Sequence, residues 1–157
     1  MMKSNDFDFK ELLSSSKIMA LSWKEPYASL MLHGKIETRT WPTKYRGLVL
    51  ICVSKLPYSK QQVELISGVY QQNRLNEILR KSDWKPATNS GMAIAVGRLL
   101  ECRAMKPVDE DDCFVSFNPN LFCHFYVDVN PIKPFPWKGK PGWKNVPQEI
   151  IRKIEFL

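Results

Sequence analysis

LSWKEPYASLMLHGKIETRTWPTKYRGLVLICVSK, residues Leu21 to Lys55, holds the elements and the charges from which the rest of the chain is read. Its last part, Leu48 to Val53, is a near-continuous apolar run of strand length, the pattern of a strand covered on both faces. Ahead of it, Pro42 to Gly47 reads as a turn, and Ile36 to Trp41 alternates as a strand does. The period of two puts Glu37, Arg39 and Trp41 on one face and Ile36, Thr38 and Thr40 on the other. Pro26 suits the first turn of a short helix through Leu32, which Gly34 ends in the left-handed conformation. Charges set among strand-forming residues are costly to bury unless they are paired or meet a ligand. A binding site is therefore expected in GKIETRTWPTKYRG, Gly34 to Gly47.

Outward from this stretch, Ile18 to Leu21 predicts a first strand, and residues 1–16 predict a flexible lead or a short helix over Phe7 to Leu13. From Ser59 to Lys81 the apolar positions Val63, Leu65, Ile66, Val69, Tyr70, Leu75, Ile78 and Leu79 recur at helical spacing. Gly68 and the polar Gln71-Gln72-Asn73 tract divide them into two helices or kink one, an insertion among strands. Gly91 to Met105 predicts a long strand with a bend or bulge at Gly97, and Leu121 to Val129 another. Pro131, Pro134 and Pro136 demand an extended, edge-like path, and Val146-Pro147-Gln148-Glu149 starts a final helix. Five or six strands with interspersed helices give the α+β class, with residues 17–157 as one domain. Periodicity alone does not separate a barrel from other α+β folds.

The 157 residues are 44% hydrophobic and 25% charged, the composition of an ordinary soluble globular chain. The longest apolar runs fall far short of a membrane span of ~20 residues. The N-terminus lacks the apolar core of a signal peptide, so a cytoplasmic location is expected. Four cysteines, Cys52, Cys102, Cys113 and Cys123, form no CxxC pair and fit reduced thiols. Neighbours on a strand point to opposite faces, so Cys123 and His124 are a poor metal pair, and neither metal nor cofactor is expected. Four of the 16 acids sit together in Asp109–Asp112, leaving 12 against 23 basic residues elsewhere. That surplus favours anionic partners, nucleic acid first. The acidic run lacks the alternation and central glycine of a calcium loop and reads as a solvated loop.

Pro26-Tyr27-Ala28-x-Leu30, Gly34-Lys35-x-Glu37-x-Arg39-x-Trp41 and Tyr45-Arg46-Gly47 together resemble the signature of ASCH domains, the family named for homology to the activating signal cointegrator. The run Trp137-Lys-Gly-Lys-Pro-Gly-Trp143 is similar to a second element of that family, so the resemblance spans most of the chain from about Ile18. It implies a small PUA-like β-barrel of five to six mostly antiparallel strands with helices on its outside, on which the helical stretch around 59–81 reads as an insertion. It also implies a cleft at the first helix and following strand, bordered by Ser22 and Trp23, and RNA or a nucleoside as ligand. The family's usual spacing is G-x-K-x-x-E-x-R, whereas Gly34-Lys35-Ile36-Glu37-Thr38-Arg39 is two residues shorter, so Lys35 matches in type and not in spacing.

Within this frame, Glu37 and Arg39 stand near enough on one strand face to pair. An Arg so held presents a fixed donor fork suited to phosphate or a base edge. Trp41 beside it offers a stacking surface worth ~1–3 kcal/mol per base. The same residues also fit a surface ion pair beside a packed Trp, worth ~0–1 kcal/mol. Lys44, Tyr45 and Arg46 read either as phosphate-facing or as ordinary turn residues. Lys138, Lys140 and Trp143 lie in a Gly/Pro loop that permits close backbone approach to phosphates, or that its indoles pin to the core. One branch of the family deacetylates N4-acetylcytidine with a Lys, a Thr nucleophile and a distant Glu, but Glu37 occupies the Thr position. Another branch is associated with ribonuclease activity, in which Lys35 and Glu37 would be the acid–base pair. The alternatives to RNA or nucleoside binding are thus a metal-independent hydrolase (amidohydrolase or ribonuclease) and a protein-interaction module. His33, at a helix end, reads as a cap or packing residue.

Overall fold

The computed structural model describes Leu13, residues 16–85 and residues 88–157. The expected N-terminal lead and the Phe7–Leu13 helix fall outside these residues, except for Leu13, which is buried, and Ser16. The strands are β1 (Ile18–Trp23), β2 (Glu37–Arg39), β3 (Gly47–Val53), β4 (Met92–Ala104), β5 (Phe122–Pro136) and β6 (Lys144–Asn145). The helices are α1 (Tyr27–Leu30), α2 (Lys60–Ile66), α3 (Val69–Lys81), α4 (Glu110–Cys113) and α5 (Gln148–Ile151). The strands form one mixed sheet in the order β2-β5-β4-β3-β1-β6, curled into a half-barrel with the helices around it. Four neighbouring pairs are antiparallel and β1–β3 is parallel. This is the expected small α+β, PUA-like barrel.

β3 explains why its sequence is apolar throughout. Leu48, Leu50 and Cys52 enter one core cluster with Ile18, Ala20, Ile132 and Ile154, while Val49, Ile51 and Val53 enter another with Leu21, Trp23 and Met31. Both faces of the strand are thus covered, and no position tolerates a polar group without a partner. At Gly97 the β4–β5 register shifts, as the bulge expectation required. A Cβ there would stand 3.0 Å from Val129 Cγ2, so bulk at 97 would push β5 away.

Several elements differ from their expected extent. The Ile36–Trp41 strand contracts to three residues, because β2 is an edge strand paired only with Phe122–His124 of β5. β5 runs on through Pro131, Pro134 and Pro136 instead of stopping at Val129. Beyond its contact with β2, the outer side of β5 has no long strand beside it among the described residues, which is where prolines fit a sheet. The C-terminal residues cover part of that side: Lys133 N–H donates to Glu155 O, Leu157 N–H donates to Pro131 O, and Ile132 bridges Phe156. The insertion forms two helices, α2 opening on a Ser59–Gln62 capping box and α3 following Gly68. Leu75 and Leu79 are buried, but Leu65, Val69 and Tyr70 are exposed, so the helical periodicity included residues that face away from the core.

The acidic run is a 3-10 turn followed by α4 rather than a loop; Asp111 and Asp112 are exposed as expected, but Asp109 is not. Asp109 ends a 3-10 turn and is buried, with Arg103 Nη1 and Nη2 donating to its two oxygens at 2.8 and 2.9 Å and Lys106 N–H adding a third bond at 2.8 Å. Those hydrogen bonds, Arg103 first, outweigh desolvation and hold the Asp109 carboxyl down to about 2. A carboxyl with an ordinary pKa of ~3.9 when unfolded then adds stability that is complete above about pH 5 and lost as pH falls toward about 2. Asp109→Asn is expected to lower stability at neutral pH by about 1–2 kcal/mol, discounted because the Arg103 side chain is 30% exposed. It should also flatten the fall of Tm over that acid range; Tm measured against pH for both proteins checks it.

Candidate functional site

The C-terminal ends of the parallel pair β1 and β3, the edge strand β2, the end of α2 and the loop 137–142 enclose a cleft of about 970 Å³. Of the residues singled out in the sequence, Ser22, Trp23, Lys35, Glu37, Arg39, Trp41, Lys138 and Lys140 line it, so the two separate constellations meet in one place. Thr38 and Thr40 line it as well. The alternation that assigned them to the opposite face does not keep them from it, because β2 is a short edge and the cleft reaches round it.

Lys35, Glu37 and Arg39 form a buried charge triad. Lys35 Nζ lies 3.0 Å from Glu37 Oε1, and the two side chains are 1% and 7% exposed. Lys35 Nζ also donates to Ile36 O at 3.0 Å and sits 5.4 Å from the centre of the Tyr27 ring. Arg39 Nε lies 3.0 Å from Glu37 Oε2. Its N–H is not aimed for a hydrogen bond, so that contact is ionic only. Arg39 Nη2 instead donates to Ser22 O at 2.9 Å, and its guanidinium lies 4.9 Å from the Trp23 ring and 5.9 Å from the Trp41 ring. Nη1 makes no hydrogen bond among the described residues, and the Arg39 side chain is 20% exposed toward solvent.

Burial pushes the Glu37 carboxyl up. The charges of Lys35 and Arg39, with the hydrogen bonds from Lys35 and Thr38 N–H, outweigh it and leave the group below its ordinary value. Glu37 is therefore an anion at neutral pH, fixed from both sides, and the triad carries one net positive charge at the cleft. The shortened Gly34-to-Glu37 spacing places Lys35 here without difficulty: Gly34 is left-handed, with φ 84°, and Lys35 N–H donates back to Leu30 O. α1 is itself fixed by Glu25, whose buried carboxylate accepts from Ser29 N–H at 2.7 Å, Ser29 Oγ at 2.5 Å and Trp84 Nε1 at 2.7 Å.

Trp41 is not a free platform. It meets His124 at 5.2 Å and Trp143 at 6.0 Å between ring centres, and Trp143 meets Tyr45 at 5.1 Å. His124 donates from Nε2 to Trp41 O at 3.0 Å, with burial holding the imidazole below its usual pKa and so neutral. Trp143, Lys44, Tyr45 and Arg46 lie outside the cleft lining. Tyr45 OH donates to Leu48 O, and Arg46 Nη1 folds back onto the carbonyls of Thr43 and Tyr45. His33 is exposed at the end of its 3-10 turn.

Four further contributors were not singled out in the sequence. Lys24 and Lys55 follow the ends of β1 and β3, while Tyr58 and Phe117 add aromatic surface. The lysines were not visible as a pair because only the parallel register, Trp23 beside Val53, brings them together. None of Lys24, Lys55, Lys138 and Lys140 has a carboxylate within ion-pair distance among the described residues. Cys113 and Cys123 lie 3.8 Å apart, both buried, and burial raises both thiols. No three His, Cys, Asp or Glu side chains cluster as metal ligands among the described residues.

No family model matches the chain. Over 131 residues, 79% of its length, the chain is 28% identical to activating signal cointegrator 1 of mouse, and over 133 residues 29% identical to human activating signal cointegrator 1. The chain is a distant relative of activating signal cointegrator 1. It spans about a fifth (22%) of the length of either cointegrator. No helix among the described residues is long and apolar enough to cross a membrane.

The triad makes a stability prediction. Glu37→Gln leaves Lys35 buried without its anion and is expected to cost about 3–5 kcal/mol. Adding Lys35→Met should recover part of that loss, since the stranded charge is then gone. Urea unfolding of the single and double variants measures both, and a double variant no more stable than Glu37→Gln would show that the pair is not the source.

Proposed function

We infer that the chain is an ASCH-like domain that binds RNA or a nucleoside in this cleft, and that it acts as a binding module. The observation that carries the reading is the placement of Arg39. Glu37 and Ser22 O hold the guanidinium near two indoles, yet among the described residues one amino group is left unpaired, in a cleft also lined by four lysines without acid partners. A fixed planar donor in a cationic, aromatic-lined cleft suits phosphate oxygens and base edges. The distant similarity to activating signal cointegrator 1 and the PUA-like half-barrel support the same reading.

Catalysis by a Lys35–Glu37 acid–base pair has less support. A general base works best with a pKa near the working pH, and the flanking cations hold Glu37 below the ordinary carboxylate range. As a nucleophile in acyl transfer a carboxylate does not repeat the chemistry of a hydroxyl. Thr38 does border the cleft, but no neighbouring base accepts a proton from its hydroxyl among the described residues.

Binding to a single-stranded RNA is expected to weaken steeply as salt rises, and Lys140→Ala should weaken it and lessen the slope by about 0.7. Arg39→Ala is expected to cost roughly 10-fold or more in affinity. Fluorescence anisotropy at several salt concentrations measures both, with circular dichroism confirming that the variants fold. RNA recovered intact by mass spectrometry supports the binding module. Turnover that is lost in a Glu37→Gln variant shown by circular dichroism to be folded would replace it with the hydrolase.

A further inference from the structure

The cleft is larger than the triad needs, and its walls differ in chemistry. We propose that its ligand is a single-stranded oligonucleotide of at least two nucleotides, with one base read at Arg39 and a neighbouring base stacked on Phe117. This rests on the nucleic-acid reading above and narrows it.

Three observations carry the proposal. First, about 970 Å³ is the upper end of the ~300–1,000 Å³ typical of a pocket for one small ligand. Second, Lys24, Lys55, Lys138 and Lys140 line that one cleft without carboxylate partners among the described residues. Like charges gathered in a cleft repel each other and focus a positive potential on it. A nucleoside has no phosphate to offset this and a mononucleotide has one, whereas a strand brings one at every step. Third, the cleft has a second wall on different elements from the triad. Leu65 of α2 is 86% exposed, and Phe117, in the segment before β5, is 37% exposed. Ile66 and Val115 lie beside them in the same lining, and Ser116 N–H donates to Ile66 O at 2.8 Å, which fixes the segment against α2. An exposed ring on an anchored segment in a cationic cleft is the arrangement that stacks a base without reading its identity. Arg39, with its free Nη1, supplies the directional contact at the other wall.

Calorimetry with uridine monophosphate, a uridine dinucleotide and a uridine octanucleotide at several salt concentrations tests this. The octanucleotide should bind at least about 10-fold tighter than the monophosphate, with a steeper salt dependence, near 0.7 in slope for each added phosphate contact. The double variant Lys138→Ala/Lys140→Ala should flatten the octanucleotide slope by about 1.4. Phe117→Ala should weaken the octanucleotide by about 10-fold and leave the monophosphate unchanged. All three positions are exposed, so these variants retain the fold, which circular dichroism checks. Equal affinity and equal salt slope at every length would overturn the proposal and leave the nucleic-acid cleft standing. A duplex bound as tightly as the single strand would also overturn it. No binding at any length would overturn both readings.

Discussion

The hydrogen bond from Arg39 Nη2 to Ser22 O joins the two sides of the curled sheet. β2 and β6 are its edges, and neither is long enough to pair with the other through the backbone. β6 covers only Met19 and Ala20 of β1, so the carbonyl of Ser22 extends past the end of that ladder. Arg39 reaches it from β2, and the Trp41–Trp143 contact reinforces the same seam. Backbone polar groups near the interior require partners, and here a charged side chain supplies one. Glu37 then has a clear role: it balances the guanidinium that spans the seam, and Lys35 balances Glu37 in turn. Apart from Trp143, the residues that bridge the seam also line the cleft.

This dual role shows what each charge of the triad contributes. A buried ion pair is weak evidence for stability, because desolvation offsets most of the attraction. A triad of two cations and one anion goes further, leaving a net charge that the protein itself does not cancel. Burial alone would raise Glu37, so its lowered carboxyl shows that the cations dominate locally. On the binding reading proposed above, that uncancelled charge is what an anionic ligand would meet.

Much of this was legible in the sequence where burial dictates residue type. The Leu48–Val53 run announced a strand covered on both faces, and the Glu37, Arg39, Trp41 alternation announced a charged face. The glycine at 97 marked the bulge, where a side chain would crowd Val129. What was not legible depends on contacts distant in the chain. The parallel β1–β3 register, which brings Lys24 to Lys55, leaves no local trace. The acidic run looked solvated for a different reason: Arg103 stands only six residues before Asp109, but the turn that brings the two together has no periodic signature. Helical spacing in Ser59–Lys81 could not separate Leu75, which packs, from Leu65, which lines the cleft, since period reports a face and not what lies opposite it. Trp41 and Trp143 were open to two readings, stacking surface or packed anchor, and the structure engages them with each other across the seam.

The outer side of β5 has a consequence of another kind. A strand with unpaired amide and carbonyl groups is a template on which a second molecule can add its own strand. Over most of its length β5 faces outward, beyond the short reach of β2. Pro131, Pro134 and Pro136 remove three donors from the strand, and Glu155 to Leu157 fold back to occupy groups near Ile132. These last residues touch neither the seam nor the cleft. Their effect is on what the molecule does at high concentration, where a bare edge would invite edge-to-edge association.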